Sequence, residues 1–384
     1  MRLAINALSA RTGGGVVYLK NLIRELAGEA SIDEILVFAR ADMGDQLASR
    51  TLSSVTRVDV RIHGALHRLL YEQICLPIAL ARLRIDVLFA PAEIAPVFAS
   101  CPVVLGLQNA IVGSKLPRQS SFSARLRNSS LYLLAWISVR KARELIFVSE
   151  TARQNTSQVL GIDPLRGHVV YHGVDPLFLE CAASTDGRAN GDRMGPILYV
   201  GAVAPHKNLE CLIDAFGMLG SETQKCHQLR LIGPIIDAQY GMRIVDMLHH
   251  TGLDIESTLL GSVPHHELPS RYRSASAFVL PSVMETFGLP LIEAMTCGAP
   301  VIAADASCLP EIVRDAGLLF DANDPRKLAQ MIELVLADRN LQAELVKKGM
   351  RRAKEFRWSI AAASTLEILQ QASQSRAGYE RGAD

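Results

Sequence analysis

Residues Ala277 to Asp305 read AFVLPSVMETFGLPLIEAMTCGAPVIAAD. The opening AFVLP is an apolar run suited to a parallel strand buried on both faces, and Pro290 falls where a first helical turn tolerates a residue without an N–H. Between them, Met284-Glu285-Thr286-Phe287-Gly288 reads as a strand-to-helix loop. A helix start carries backbone N–H groups with no intrahelical acceptor, so such a loop suits an anion or a polyol hydroxyl. Two carboxylates flank it: Glu285 in the loop and Glu293 about one turn into the helix, with seven residues between them. The pair suits a sugar nucleotide. One carboxylate can accept hydrogen bonds from hexose hydroxyls, the other can take the two ribose hydroxyls, and the N–H groups face the diphosphate between. Glu293 alone has a second reading, an acid in a first helical turn that complements the macrodipole.

The run ETFGLPLIEAMTCGAPVIAAD, followed by LPEIVRDAGLLFD, resembles the donor-site signature of retaining glycosyltransferases of family 4, whose best-known mark is Glu-X7-Glu. The match fixes acidic, Gly and Pro positions from Glu285 to Asp321. The resemblance implies the GT-B fold: α/β, with two Rossmann-like doubly wound domains facing each other across a cleft. It also implies transfer of a hexose from a nucleoside diphosphate sugar to a hydroxyl, with retention of anomeric configuration. Glu285, Thr286, Phe287, Gly288 and Leu289 would then hold the hexose, and Glu293 the ribose. Because Glu285 would serve a ligand and not a core, Glu285→Ala is expected to remove transfer and leave the fold intact.

The 384 residues suffice for two domains with separate cores, and 49% hydrophobic with 21% charged residues is the balance of a globular chain. A formal charge of +1 excludes any argument from net charge. The seven Cys have no metal-ligand spacing and are odd in number, as expected of small buried residues in a reducing compartment. MRLAINALSA reads as a first strand rather than a secretory signal, and the longest clean apolar run, Leu131 to Val139, falls well short of the eighteen or so residues that span a bilayer. A cytoplasmic protein is expected.

Alternating apolar runs and helical patterns signal βαβ units and parallel sheets. In the first half the strands are RLAIN, EILVFA, RVDVRI, DVLFA, PVVLGL, ELIFVS and HVVYH, with helices after the first strand and around 65–83, 121–141 and 150–160. Around 179–195 the chain turns small and polar, the mark of a linker between a domain of residues 1–178 and one of 196–357. There PILYVG, LRLIG, TLLGSV, AFVLP, PVIAA and GLLF are the strands. A final helix over 358–375, with Ser359 as N-cap, packs back on the first domain in the family, and the last ten residues read as loose.

Gly201 ends a strand, and AVAPHKN leads into a helix. Lys207 lies near that helix start, where the dipole is already positive, so an anion shared between them would remove the conflict. A solvated Lys is the alternative. The segment resembles the family's second signature, in which Gly-Arg and a later Lys surround the donor phosphates. Here Ala202 stands in place of Arg, so His206 or an Arg from elsewhere is expected to compensate. Family layout also puts Gly233 and Val263 at ribose and base.

On the acceptor side, Gly13, Gly14 and Gly15 allow positive φ and close backbone approach, or a plain flexible turn. In the family this loop touches donor phosphate or acceptor. Gln108-Asn109 follows PVVLGL where many members carry His-Asp or His-Asn, and Gln cannot exchange a proton at neutral pH. In a displacement on one face, the departing diphosphate oxygen can take the acceptor's proton instead. His172-Gly173-Val174-Asp175 matches the family's hinge, a structural role.

From Lys115 to Arg143 there are seven basic residues and no acid, interleaved with LYLLAWI. This suits either an anionic membrane surface or a core-facing helix with a solvated basic face. In the first case the acceptor is a lipid-linked saccharide. Nucleic acid is not expected, for want of stacking aromatics. No Asp-X-Asp occurs, so no metal cofactor is expected. Two rivals to transfer are a sugar-nucleotide epimerase on the same fold and a catalytically silent nucleotide-sugar-binding or scaffolding protein.

Overall fold

The computed structural model describes residues 1–10, 14–46, 54–108, 122–183 and 194–380. The chain divides into two compact units, one of Met1–Gly173 with Trp358–Asp384 and one of Val174–Arg357. Each is built on one parallel sheet.

The first unit holds β1 (Arg2–Asn6), β2 (Glu34–Arg40), β3 (Val55–Val60), β4 (Val87–Ala90), β5 (Val103–Leu107), β6 (Glu144–Phe147) and β7 (Gly167–Val169), in spatial order 3-2-1-4-5-6-7. Strand periodicity divides its side chains between two cores. Leu3, Ile5, Val37 and Phe89 face helix Gly14–Leu26, while Ala4, Phe38, Leu88 and Leu105 face Leu76, Leu80, Val139 and Ala142 of the helices on the other side. A sheet covered on both faces needs apolar residues at every position, which is why these strands read as continuous runs. Edge strand β3, two residues earlier than RVDVRI predicts, is mostly only partly buried or exposed, and Ile62 packs beyond its end.

The expected helix at 65–83 is broken. Ala65–Leu70 and Leu76–Arg82 flank a π turn over Tyr71–Cys75, where the Leu76 N–H reaches back five residues to Tyr71 O. Pro77 has no N–H to offer Gln73, and the ladder widens just before it. Helix Phe122–Lys141 buries Ala135, Ser138 and Val139 and exposes Tyr132, Leu133 and Trp136, so its outward side is not purely basic. Residues 115–121 lie outside those described.

The closing helix, Trp358–Glu380, starts a residue too early for Ser359 to cap it, because buried Trp358 already belongs to its first turn. Its Leu366, Ile368, Leu369 and Ala372 complete the core around β1 and β2. The last ten residues, expected to be loose, are helical as far as Glu380.

The second unit holds β8 (Ile197–Val200), β9 (Leu229–Ile232), β10 (Leu259–Gly261), β11 (Ala277–Leu280), β12 (Val301–Ala304) and β13 (Leu318–Phe320), in order 10-9-8-11-12-13. The stretch predicted as linker begins inside helix Pro176–Ala183 of this unit, and residues 184–193 lie outside those described.

Candidate functional site

The strand order of the second sheet reverses between β8 and β11. Chains leaving the carboxyl ends of those neighbours part to opposite faces and leave a crevice, the place where open α/β sheets bind ligands. The loop after β8 carries Gly201 to Lys207, and the loop after β11 carries Pro281 to Gly288. The two segments singled out in the sequence therefore meet at one switch point.

Their contact is direct. Lys207 Nζ lies 2.5 Å from Glu285 Oε1, and the two side chains keep only 13% and 12% of their exposure. Lys207 ends a short 3-10 turn, Pro205–Lys207, and does not sit in the helix that follows. Asn208 takes up the change of direction at φ 55°, a left-handed conformation that Asn tolerates, and its amide donates to Pro281 O (3.2 Å) and Ala322 O (2.9 Å). Glu285 is held through its backbone: its N–H donates to Ser307 Oγ (3.3 Å), and that hydroxyl donates to Glu285 O (2.6 Å). Loss of Glu285 would thus leave a largely buried ammonium without its partner. The expectation that Glu285→Ala spares the fold is replaced by one in which stability falls as well.

Phe287 is buried with its ring edge-on to Phe356, centroids 5.8 Å apart, anchoring the loop between half-buried Glu285 and Thr286 and the helix. Gly288 caps helix Leu289–Thr296 at φ 85°, and a Cβ there would meet Leu309 Cδ2 at 3.1 Å. Leu289 and Glu293 are half-buried. Glu293 Oε2 accepts from the Tyr272 hydroxyl at 2.8 Å. Burial pushes the Glu293 carboxyl up to about 7, and the negative charge of Asp175 adds to that against the Tyr272 hydrogen bond. Asp175, assigned only to a hinge, is therefore a neighbour of the second site carboxylate. The first-turn dipole reading of Glu293 is insufficient, since a surface acid there would not need a buried tyrosine.

Gly201 and Gly233 bring the ends of β8 and β9 together: a Cβ on Gly233 would lie 1.9 Å from Gly201 O, and one on Gly201 2.5 Å from Tyr199 Oη. The Tyr199 hydroxyl donates to Ala202 O at 2.8 Å, and burial together with Glu285 raises it well above the phenol range. Burial, then Lys207, lower the His206 imidazole below the ordinary range, Glu285 opposing. Val263, half-buried, follows β10.

In the first unit Gly14 and Gly15 form the exposed first turn of helix Gly14–Leu26, and Gly15 does not use the positive φ that the glycine run allows. Space beside Gly15 is open. Gly13 and Asn109 lie outside the described residues. Gln108 follows β5, and its side chain hydrogen-bonds the buried Tyr18 hydroxyl, which burial raises and this bond lowers. Tyr18 packs on His172, centroids 4.7 Å apart, and burial holds that imidazole down at about 3. Missed by the sequence reading was Glu72 in the π turn, buried, raised by that burial, and bonded to Asn6 Nδ2 at the end of β1 (3.2 Å).

Among the described residues no three His, Cys, Asp or Glu side chains are grouped to hold a metal ion, and no helix is long and apolar enough to cross a membrane.

Two family models match in tandem: Glycosyltransferase Family 4 over residues 12–177 and Glycosyl transferases group 1 over 191–352. Among relatives, O-antigen chain mannosyltransferase B of Escherichia coli is 35% identical over 173 residues, 45% of each chain. D-inositol 3-phosphate glycosyltransferase of Streptomyces bingchenggensis is 32% identical over 259 residues, 63% of this chain and 55% of that one. The chain thus spans about half the length of these relatives. Among solved structures, HepE of Anabaena with UDP and glucose superposes with a TM-score of 0.73 at 20% identity, covering 97% of this chain and 100% of its own. Sucrose-phosphate synthase of Thermosynechococcus elongatus gives 0.73 at 20% identity, covering 96% and 98%. With both halves matched and the GT-B architecture in place, the chain belongs to glycosyltransferase family 4, the glycosyl transferases group 1.

Proposed function

We propose that this protein is a retaining hexosyltransferase that moves mannose or a similar hexose from a nucleoside diphosphate sugar to a hydroxyl of a saccharide or lipid-linked acceptor. The observation that carries the proposal is the meeting of Lys207 and Glu285 at the β8/β11 switch point, with Glu293 on the adjoining helix. A carboxylate to accept from sugar hydroxyls and an ammonium to face a diphosphate are held together before any ligand arrives, which lowers the ordering cost of binding. The mannosyltransferase among the relatives supports the hexose, and HepE, solved with UDP and glucose, supports a nucleotide sugar.

In the proposed reaction the bond from the anomeric carbon to the diphosphate oxygen breaks, and a bond to the acceptor oxygen forms on the same face of the sugar. The acceptor's proton passes to the departing diphosphate oxygen, so no side chain need exchange it and Gln108 serves as a hydrogen-bonding group. Lys207 balances the charge that grows on the diphosphate, in the role a metal fills elsewhere. Glu285 and the backbone N–H groups of Phe287 and Gly288 orient the hexose, Glu293 takes the ribose, and Gly14, Gly15, Gly201, His206, Gly233 and Val263 line the donor. With Ala202 in place of Arg, diphosphate binding rests on Lys207 together with His206 or an Arg from elsewhere.

The proposal includes a cytoplasmic location at the inner face of the membrane, with residues 115–143 toward anionic lipid, and a part in cell-surface polysaccharide synthesis. The test is a screen of UDP, GDP and ADP sugars against the purified chain, followed by donor turnover with and without a lipid-linked acceptor. Turnover only with acceptor supports transfer, turnover without acceptor indicates the epimerase, and binding without turnover indicates the silent protein.

A further inference from the structure

Among the described residues, four other than glycine have a left-handed φ: Arg84, Asn208, Ser307 and Arg314. Two of them, both at 55°, belong to the surroundings of the Lys207–Glu285 pair: Asn208 follows Lys207 in the chain, and Ser307 is bonded to the Glu285 backbone. Residues held in sparsely populated conformations gather at functional sites, where the structure around them enforces the strain. Asn tolerates the left-handed region because its short amide bonds locally. Serine has less allowance, and glycine would adopt the same φ without a Cβ penalty, so what Ser307 adds at this position is its hydroxyl.

That hydroxyl serves one residue. It accepts from the Glu285 N–H at 3.3 Å and donates to Glu285 O at 2.6 Å, so both backbone groups of Glu285 close on a single side-chain atom. The Cys308 thiol, fully buried, donates to the same carbonyl at 3.4 Å. Ser307 lies in the loop after β12, the strand beside β11, and that loop is itself tied down by the Asp305 N–H, which donates to Phe320 O at 2.7 Å. Glu285 is therefore placed by a third loop, 22 residues further along the chain.

The other groups of the site are held elsewhere. Lys207 is seated by its own turn, through the Asn208 amide bonds to Pro281 O and Ala322 O, and Glu293 by the Tyr272 hydroxyl. The start of the β11 loop is joined to the β8 loop by the Val283 N–H, which donates to His206 O at 3.0 Å. Without the Ser307 hydroxyl, Lys207, Glu293 and Val283 keep these anchors, and Glu285 loses two.

We propose that Ser307 is a positioning residue for the hexose: its hydroxyl fixes the Glu285 backbone so that the carboxylate reaches the sugar while staying beside Lys207. The proposal rests on the transfer reading above, in which Glu285 accepts from hexose hydroxyls, and adds the residue that places it. A misplacement of about 1 Å can cost a positioned group on the order of 100-fold in effect. The loss should fall on the sugar end of the donor and spare its nucleotide end.

Full-length wild type, Ser307→Ala and Ser307→Gly are titrated calorimetrically with GDP-mannose, UDP-glucose and ADP-glucose and with the three diphosphates, without acceptor. Both variants should bind the sugar nucleotide that wild type binds at least about tenfold more weakly, and its diphosphate within about twofold of wild type, because the anchors of Lys207 and Glu293 share no partner with Ser307. Thermal melts separate strain from positioning. Ser307→Gly, free of the left-handed penalty, should melt roughly 2–4 °C above Ser307→Ala and bind the sugar nucleotide no better. If wild type binds none of the three sugar nucleotides, the transfer reading fails and takes this proposal with it. If wild type binds one and both variants match it, the transfer reading stands and the proposal is overturned. Recovery of sugar-nucleotide binding in Ser307→Gly would show that only the shape of the loop matters, and parallel loss of diphosphate and sugar nucleotide would show that Ser307 holds the whole site rather than Glu285; either result overturns the proposal. Should Ser307→Ala misfold, Ser307→Gly carries the binding test alone.

Discussion

Removing Lys207 should cost stability and diphosphate affinity together, and the two costs can be separated. The ammonium and the Glu285 carboxylate are 2.5 Å apart with about one-eighth of each side chain exposed. Taking one partner from such a pair leaves the other charge unpaired, at about 3–5 kcal/mol for a fully buried pair; residual exposure puts this one near 3. For a unit of this size that is a fall in Tm of roughly 6–12 °C. Lys207→Met combined with Glu285→Gln removes both charges and should recover most of it, because the desolvation penalty leaves with the attraction. Calorimetric titration then isolates the ligand term. One lost charge-assisted bond is worth about 1.5–3 kcal/mol, so nucleoside diphosphate should bind Lys207→Met on the order of 10- to 150-fold more weakly, with the nucleoside unchanged. A single variant that melts within about 1 kcal/mol of wild type refutes the buried pair, and equal losses for nucleoside and diphosphate refute the assigned ligand.

Glu293 predicts a pH dependence. Its carboxyl lies at about 7 folded against an ordinary 4.5, so the folded state holds the proton more tightly. This contribution, about 3 kcal/mol, is fully present below about pH 4.5 and lost as pH rises through 7. Thermal melts of Glu293→Gln against wild type between pH 4 and about 8.5 should diverge toward the alkaline end, the variant being the more stable; parallel curves contradict the assignment. Gly288→Ala should cost about 1–2 kcal/mol by urea titration, since its left-handed φ disfavours a Cβ; an unchanged midpoint would count against that cap. Asn208→Ala should raise the donor KM at least about tenfold by unseating Lys207, two amide bonds being lost, and an unchanged KM would show that the turn holds without it. Transfer should survive EDTA, as Lys207 carries the balancing charge; loss restored by added divalent cation would overturn that.

The strands were legible because parallel sheets covered on both faces demand unbroken apolar runs, and all thirteen appear. Their order was not, since AFVLP and PILYV carry no mark that β11 and β8 lie side by side. Lys207 and Glu285 could be named separately, but their pairing spans 78 residues and depends on that adjacency. Tyr272 and Ser307 escaped notice, and Asp175 was read only as part of a hinge, for the same reason: each acts through tertiary proximity, with ordinary local sequence. Asn208 had a local signal, an Asn between a turn and an apolar helix, the position where a left-handed residue is needed. Gly14 and Gly15 show the converse: a glycine run suggests unusual φ, yet these two sit in an ordinary helical turn.

The first unit is assembled from both ends of the chain, with residues 174–357 intervening. On the ribosome the second unit therefore has its whole sequence before the first does. Until Trp358 to Ala372 emerge, Leu3, Ile5, Val37 and their neighbours lack the cover that the last helix supplies, and the nascent chain presents a sticky apolar surface to chaperones and aggregation partners. Late substitutions in that helix should accordingly lower yield in cells more than their effect on the finished fold would suggest.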